Sequence, residues 1–177
     1  MSQNNENILI NRVANSGLIT INLESFLPEM PMAIMDIKDY LFQELLLKEK
    51  DFRLAMKSHD WFQYEGRVLC VYCSTDAIVP VWAYMLIAAH AGPYTAEVFF
   101  GTEKGFIEKH VLHRIEEIDT ADYEEKRVVI KGCGDKWVPD SAYLKITEKL
   151  QPAVQSLMYG EPCSTVPIFK RPRKLNS

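Results

Sequence analysis

RVLCVYCSTDAIVPVWAY, residues 67–84, and RVVIKGCGDKWVPDSAY, residues 127–143, are one phrase written twice. Each opens on Arg and a short β-rich run, passes a Cys in a polar link and reaches Val-Pro. Two residues later each arrives at Ala-Tyr. Valine and isoleucine in a short apolar run favour a strand. Proline ahead of a longer apolar stretch favours the first turn of a helix, because the first helical N–H has no intrahelical partner to lose. The phrase therefore predicts strand, cysteine loop and helix, and predicts them twice. With one residue deleted from the second loop, eight positions agree: Arg67/Arg127, Val68/Val128, Cys73/Cys133, Val79/Val138, Pro80/Pro139, Ala83/Ala142, Tyr84/Tyr143 and Ile87/Ile146. That agreement is well above chance. Two copies at a long period indicate a pseudo-symmetric domain rather than a solenoid.

Working outward, residues 96–100 read as a strand, 104–117 as an amphipathic helix, 119–125 as a turn and 128–131 as a strand. A last long helix is expected from 139 towards 159, bent at Pro152. Upstream, 17–24 alternates as a strand with Ile19, Ile21 and Leu23 on its buried side. Residues 25–34, with Pro28 and Pro31, read as a loop, and 58–67 as an aromatic-rich connection. One long amphipathic helix is expected over 36–56, capped by Asp36, with Ile37, Tyr40, Leu41, Leu45, Phe52 and Met56 as its apolar face. Strands alternating with such helices imply crossover units. The predicted fold class is α/β: a single domain over 1–177 with a largely parallel sheet and an internal duplication of the strand, Cys loop and helix unit. Its parts are an N-terminal strand and long helix (8–66), a duplicated core (67–168) and a basic tail (169–177).

A chain of 177 residues is long enough for one compact core, and 47% hydrophobic with 25% charged residues is ordinary for a soluble globular protein. A net charge of −4 argues against a nucleic-acid binder. The one basic cluster, Lys170, Arg171, Arg173 and Lys174, reads as a solvated end that would suit an acidic protein partner. The polar start MSQNNEN lacks the pattern of an export signal, and the apolar run 78–89 is shorter than the ~20 residues that cross a bilayer. A cytoplasmic location without membrane attachment is expected, where thiols stay reduced.

Four cysteines then carry the chemistry. In a parallel sheet, ligands bind beyond the carboxyl ends of the strands, where helix amino ends favour anions and thiolates. Cys73 and Cys133 are expected there. Cys163, in GEPCSTVPI (160–168), echoes Cys73-Ser74-Thr75 in a stiff loop that can return to the same edge. Cys73, Cys133 and Cys163 would suit zinc or an iron–sulfur cluster, in an accessory role in cluster assembly or electron transfer. Two other readings stand beside it. One is a thiol enzyme with Cys73 or Cys133 as nucleophile; the other is an interaction protein whose cysteines only pack. Cys70 has CxxC spacing with Cys73, but residues three apart on a strand face opposite ways, so Cys70 reads as a buried hydrophobe. Asp76 and Asp135 read as helix caps or polar ligands, and His59-Asp60 as a capped, hydrogen-bonded loop or an acid–base or metal group. His110 and His113, three apart on a helix, read as a solvated face or a surface metal site, and Tyr84 and Tyr143 as core. No glycine-rich phosphate loop, dinucleotide fingerprint or serine elbow is present.

The phrases NRVANSGLITINLE, DIKDYLFQELLLKEKDFR, CSTDAIVPVWAYML, KRVVIKGC and GEPCSTVPIFKR together resemble a bacterial family of the Bacteroidetes type, catalogued as domain of unknown function 2480. The resemblance covers residues 8–171 and implies an intact cytoplasmic domain. It implies no activity.

Overall fold

The computed structural model describes residues 18–132, 134–161 and 164–172, and the backbone of 11–12. The chain is an α/β protein that divides into two compact units. Unit I comprises Met1–Pro28 with Ile107–Ser177, and unit II comprises Glu29–Phe106. Among the described residues, no helix is long and apolar enough to cross a membrane.

Unit I holds β1 (Asn11–Arg12), β2 (Leu18–Ile21), β6 (Arg127–Ile130), β7 (Ser156–Glu161) and β8 (Ser164–Lys170) in the order β1-β2-β6-β7-β8. The three inner strands are parallel, and β1 and β8 run antiparallel at the ends. Unit II is a parallel sheet, β3 (Met32–Asp36), β4 (Val68–Tyr72) and β5 (Glu97–Phe100), in the order β3-β4-β5. Its helices are α1 (Glu49–Ser58) and α2 (Val81–Ala91). Next in the chain comes α3 (Glu103–Glu116), which leads from unit II into unit I, and then α4 (Asp140–Leu150).

Helix and strand periods build the two cores. Phe52 and Met56 of α1 and Ala83, Ile87 and Ala91 of α2 recur at helical spacing and bury against Leu69 and Val71 of β4. In unit I, Val111 and Ile115 of α3 and Ala142, Ile146 and Leu150 of α4 bury with Val128, Ile130 and Leu157. The opposite face of β4 buries Val68 and Cys70 with Phe106, so this strand is apolar on both sides.

The same bonds recur in both units 59 residues apart. Gly66 N–H donates to Tyr94 O at 3.2 Å, and Glu125 N–H to Ala153 O at 2.9 Å. Ala96 N–H donates to Arg67 O, and Gln155 N–H to Lys126 O, both at 2.8 Å. The left-handed positions match as well: Gly66 (φ 67°) with Glu125 (φ 55°), and Gly101 (φ 136°) with Gly160 (φ 125°). This register corrects the alignment of the two phrases, because no residue is deleted. Leu69, not Val68, corresponds to Val128, and Cys73 corresponds to Gly132, the residue before Cys133. A one-residue slip would turn every strand side chain to the other face. Leu69 and Val128 both face their helices, whereas Val68 faces away.

Three expected elements differ. Residues 32–34, expected in a loop, belong to β3. The single helix over 36–56 is a 3-10 turn (Ile37–Tyr40), a reversal, and then α1. Gln43 and Glu44 take φ of 52° and 59°, and Phe42 and Leu46 exchange backbone bonds at 2.8 and 3.2 Å, a closure that a continuous helix cannot make. Leu45 is consequently 72% exposed instead of buried. The last helix ends at Leu150, before Pro152, whose ring nitrogen cannot donate to the ladder. Residues 156–161 form β7 instead, and the expected loop beyond them is a hairpin. Pro80 and Pro139 stand just before their helices and not in the first turn.

Replacing Phe52, 1% exposed, by Ala should cost about 3–5 kcal/mol in urea unfolding. Leu54→Ala, at a side chain 69% exposed, should cost less than about 0.5 kcal/mol. Equal losses at the two positions would contradict the assigned face of α1.

Candidate functional site

In unit II, β4 delivers Cys73 to the carboxyl end of the sheet. The residue is half-buried against the helix-side core, with Sγ 3.3 Å from Thr75 Oγ1. Asp36 Oδ1 ties the loop down, accepting the N–H groups of Lys38 and Ser74, each at 3.0 Å. Partial burial pushes the Asp36 carboxyl up, but the bonds from Ser74 and Lys38 and the Lys38 charge hold it below the usual carboxylate range. Cys70 lies on the other face, fully buried, with its thiol pushed up to about 11 by burial and then by the charges of Glu103 and Glu97. The two cysteines of the CxxC therefore do not chelate together, and Cys70 is chemically quiet. Asp76 and Asp135 are exposed and do not cap: α2 and α4 start behind prolines without a side-chain cap.

In unit I, the equivalent edge is packed closely. A Cβ at Gly132 would lie 2.6 Å from the Tyr159 ring, whose hydroxyl donates to Gly132 O at 3.2 Å. A Cβ at Gly134 would meet the Glu24 carboxylate, so a side chain at either glycine would require Tyr159 or Glu24 to move. Glu24 accepts the Lys136 N–H at 2.6 Å. That bond, ahead of Asn22 and the charges of Lys131 and Lys136, keeps its carboxyl below the usual range despite some desolvation. Asn22, Glu24, Lys131 and Lys136 line a small polar cleft of about 90 Å³ beside these glycines. Next in the sheet, Glu161 faces Ser164 across the β7–β8 hairpin. Cys133, Pro162 and Cys163 lie outside the described residues. Their neighbours in sequence leave adjacent parallel strands whose last partners are Ile130 and Tyr159. Among the described residues, no three His, Cys, Asp or Glu side chains are arranged to hold a metal.

A second polar centre, at His59 in unit II, stands out more in space than in sequence. Its Nδ1 lies 3.2 Å from Tyr40 Oη and its Nε2 3.0 Å from Tyr64 Oη, so one nitrogen donates and the other accepts. Tyr64 stacks on the imidazole at 5.5 Å, and the Trp61 ring lies 4.7 Å away on the way to His90, with which it stacks at 5.6 Å. Lys57, Asp60 and Tyr94 join Trp61 and both histidines around a polar cavity of about 460 Å³. Asp60 caps the following 3-10 turn through Phe62 N–H at 3.1 Å, the capping role weighed for it in the sequence. The position that corresponds to His59 in unit I is Ile118, buried in the core. The fold thus accepts an aliphatic residue there, and no spacing rule could single out the histidine.

His113 pairs with Glu117 at 3.5 Å on the exposed side of α3. Tyr84 and Tyr143 are half-buried, making edge-to-face contacts with Phe100 at 5.1 Å and Tyr159 at 5.8 Å. In the basic tail Arg171 is held, with Nη1 3.2 Å from Glu125, Nη2 donating to Pro152 O and its backbone N–H donating to Gln155 O at 2.8 Å. Arg173 and Lys174 lie outside the described residues.

Burial lowers the His59 pKa, and the nearby Asp60 charge only partly opposes it. The unfolded chain then binds more protons on acidification, so this stabilisation is complete above the ordinary imidazole value and is lost as the pH falls through it. Urea midpoints should decline from about pH 7.5 to about pH 5 in the wild type, and His59→Gln should flatten that decline. Parallel profiles would contradict the assignment.

Searches of curated proteins and of solved structures returned no match. A family model described as protein of unknown function (DUF2480) matches residues 7–171, and the chain belongs to that family.

Proposed function

We propose that this protein binds a thiophilic metal ion or an iron–sulfur cluster through Cys133 and Cys163 of unit I. It then serves as a cytoplasmic accessory protein in cluster assembly or electron transfer. The observation that carries this reading is the parallel register of β6 and β7. It sends the chain beyond Ile130 and the chain beyond Tyr159 to one edge of the unit I sheet, three and four residues ahead of the two cysteines. Glu161 adds support. Its Oε1 is buried and takes no hydrogen bond among the described residues, two positions from Cys163. A buried carboxylate oxygen without a donor is costly, and a cation would satisfy it. Thiolates with one carboxylate oxygen suit zinc, and an incomplete protein ligand set leaves a position open for exchange.

Handing on a metal or electrons requires contact with a partner protein. In the unit that carries Cys73, Ile78, Val81, Met85 and Phe100 are 89, 74, 67 and 71% exposed, an apolar surface of the kind such contacts use.

Purified without oxygen, the protein should carry about one equivalent of zinc, or iron with acid-labile sulfide and visible absorbance. Cys133→Ser and Cys163→Ser should each remove most of it. Protein that is metal-free and takes up neither zinc nor iron with sulfide would refute the reading.

A further inference from the structure

Unit I contains a second, different cavity, of about 640 Å³, between α4 and the β7–β8 hairpin. Its body is apolar, formed by Leu144, Leu157 and Ile168, and its size falls within the range of small-molecule sites. Asp140, Tyr143, Thr147 and Tyr159 bring polar side chains to its lining.

The other unit supplies an internal control, because residues 59 apart occupy equivalent places. Asp140 corresponds to Val81, Thr147 to Ala88 and Tyr159 to Phe100, while Tyr143 and Leu144 keep their character as Tyr84 and Met85. The fold therefore needs none of the three oxygens. Val81 starts α2 just as Asp140 starts α4, so the carboxylate is not required to begin the helix. The polar groups occur in the unit where β8 lies beyond β7 and adds Ile168 to the wall.

The hydrogen-bond roles of these groups define what would bind. Thr147 Oγ1 donates its proton to Tyr143 O at 2.7 Å, and Tyr159 Oη donates to Gly132 O at 3.2 Å. Each hydroxyl is left with lone pairs only, and the carboxylate accepts by nature. No Lys, Arg or His stands among the described lining residues. With the Asp140 carboxylate, these two hydroxyls bring acceptors and negative charge to an apolar body. We propose that it binds a small amphipathic molecule whose apolar part packs on Leu144, Leu157 and Ile168 and whose ammonium or other donor head meets Asp140. A fatty acid or other anion would set like charges together at Asp140. This site goes beyond the thiol reading and does not depend on any cysteine.

A matched pair of fluorescent probes tests it: dansylcadaverine, an apolar ring with an ammonium tail, and dansyl-6-aminohexanoate, the same ring with a carboxylate. Titrated against the intact chain, the amine should bind with a blue shift, at least about tenfold more tightly than the acid. Asp140→Asn should bring the two probes within about threefold of each other, and the double variant Leu144→Ser, Ile168→Ser should weaken the amine at least about tenfold. These side chains are exposed, and matching urea midpoints verify that the variants fold. Binding of neither probe, equal binding of both, or a preference that survives Asp140→Asn would overturn the proposal. So would sedimentation showing a dimer that excludes the probe, since a second copy would then be the occupant.

Discussion

Parallel hydrogen bonding between β6 and β7, in step from Arg127 opposite Ser156 to Ile130 opposite Tyr159, is the constraint on which unit I depends. It turns Val128, Ile130 and Leu157 towards the helices, where they build the core. It also ends two strands side by side. The Tyr159 ring then lies so close to Gly132 that a side chain there would have to displace it. A polar cleft, an apolar cavity and the approaches to two cysteines follow from that one register.

The second unit repeats the framework with other side chains, which separates what the fold needs from what it merely permits. Buried aliphatics, the left-handed turn residues and the helix starts behind proline recur at a constant interval. The departures are chemical: His59 where unit I has a core isoleucine, and Asp140, Thr147 and Tyr159 where unit II has Val81, Ala88 and Phe100. Structural necessity explains the first set. It does not explain the second, and each unit concentrates its polar departures around a different cavity.

Much of this was legible in the sequence. Val68–Tyr72 was readable because an apolar run of that length, bounded by a polar link, has few alternatives, and the burial of Cys70 followed from strand parity. The helix over 36–56 was misread because Leu45 and Leu46 continue the apolar pattern, while the reversal at Gln43 and Glu44 uses residues with no turn signature. The alignment of the two phrases slipped by one because identical letters, Arg, Val and Cys, attracted it. Facing direction is a property of the sheet and leaves no mark on single residues. His59 was visible as a residue, but its partners Tyr40 and Tyr64 come from separate turns that only folding brings together. The polar rim of the apolar cavity was out of reach for the same reason.

The proposed thiol site depends on the β6–β7 register, which ends the two strands at one edge of the unit I sheet. Cross-linking the unligated protein with bismaleimidoethane, a short bis-thiol reagent, and mapping the peptides by mass spectrometry tests it most directly. The account predicts an intrachain Cys133–Cys163 link as the main product, suppressed when zinc is added first. Separate modification of each thiol, with no link between them at any reagent ratio, would contradict it.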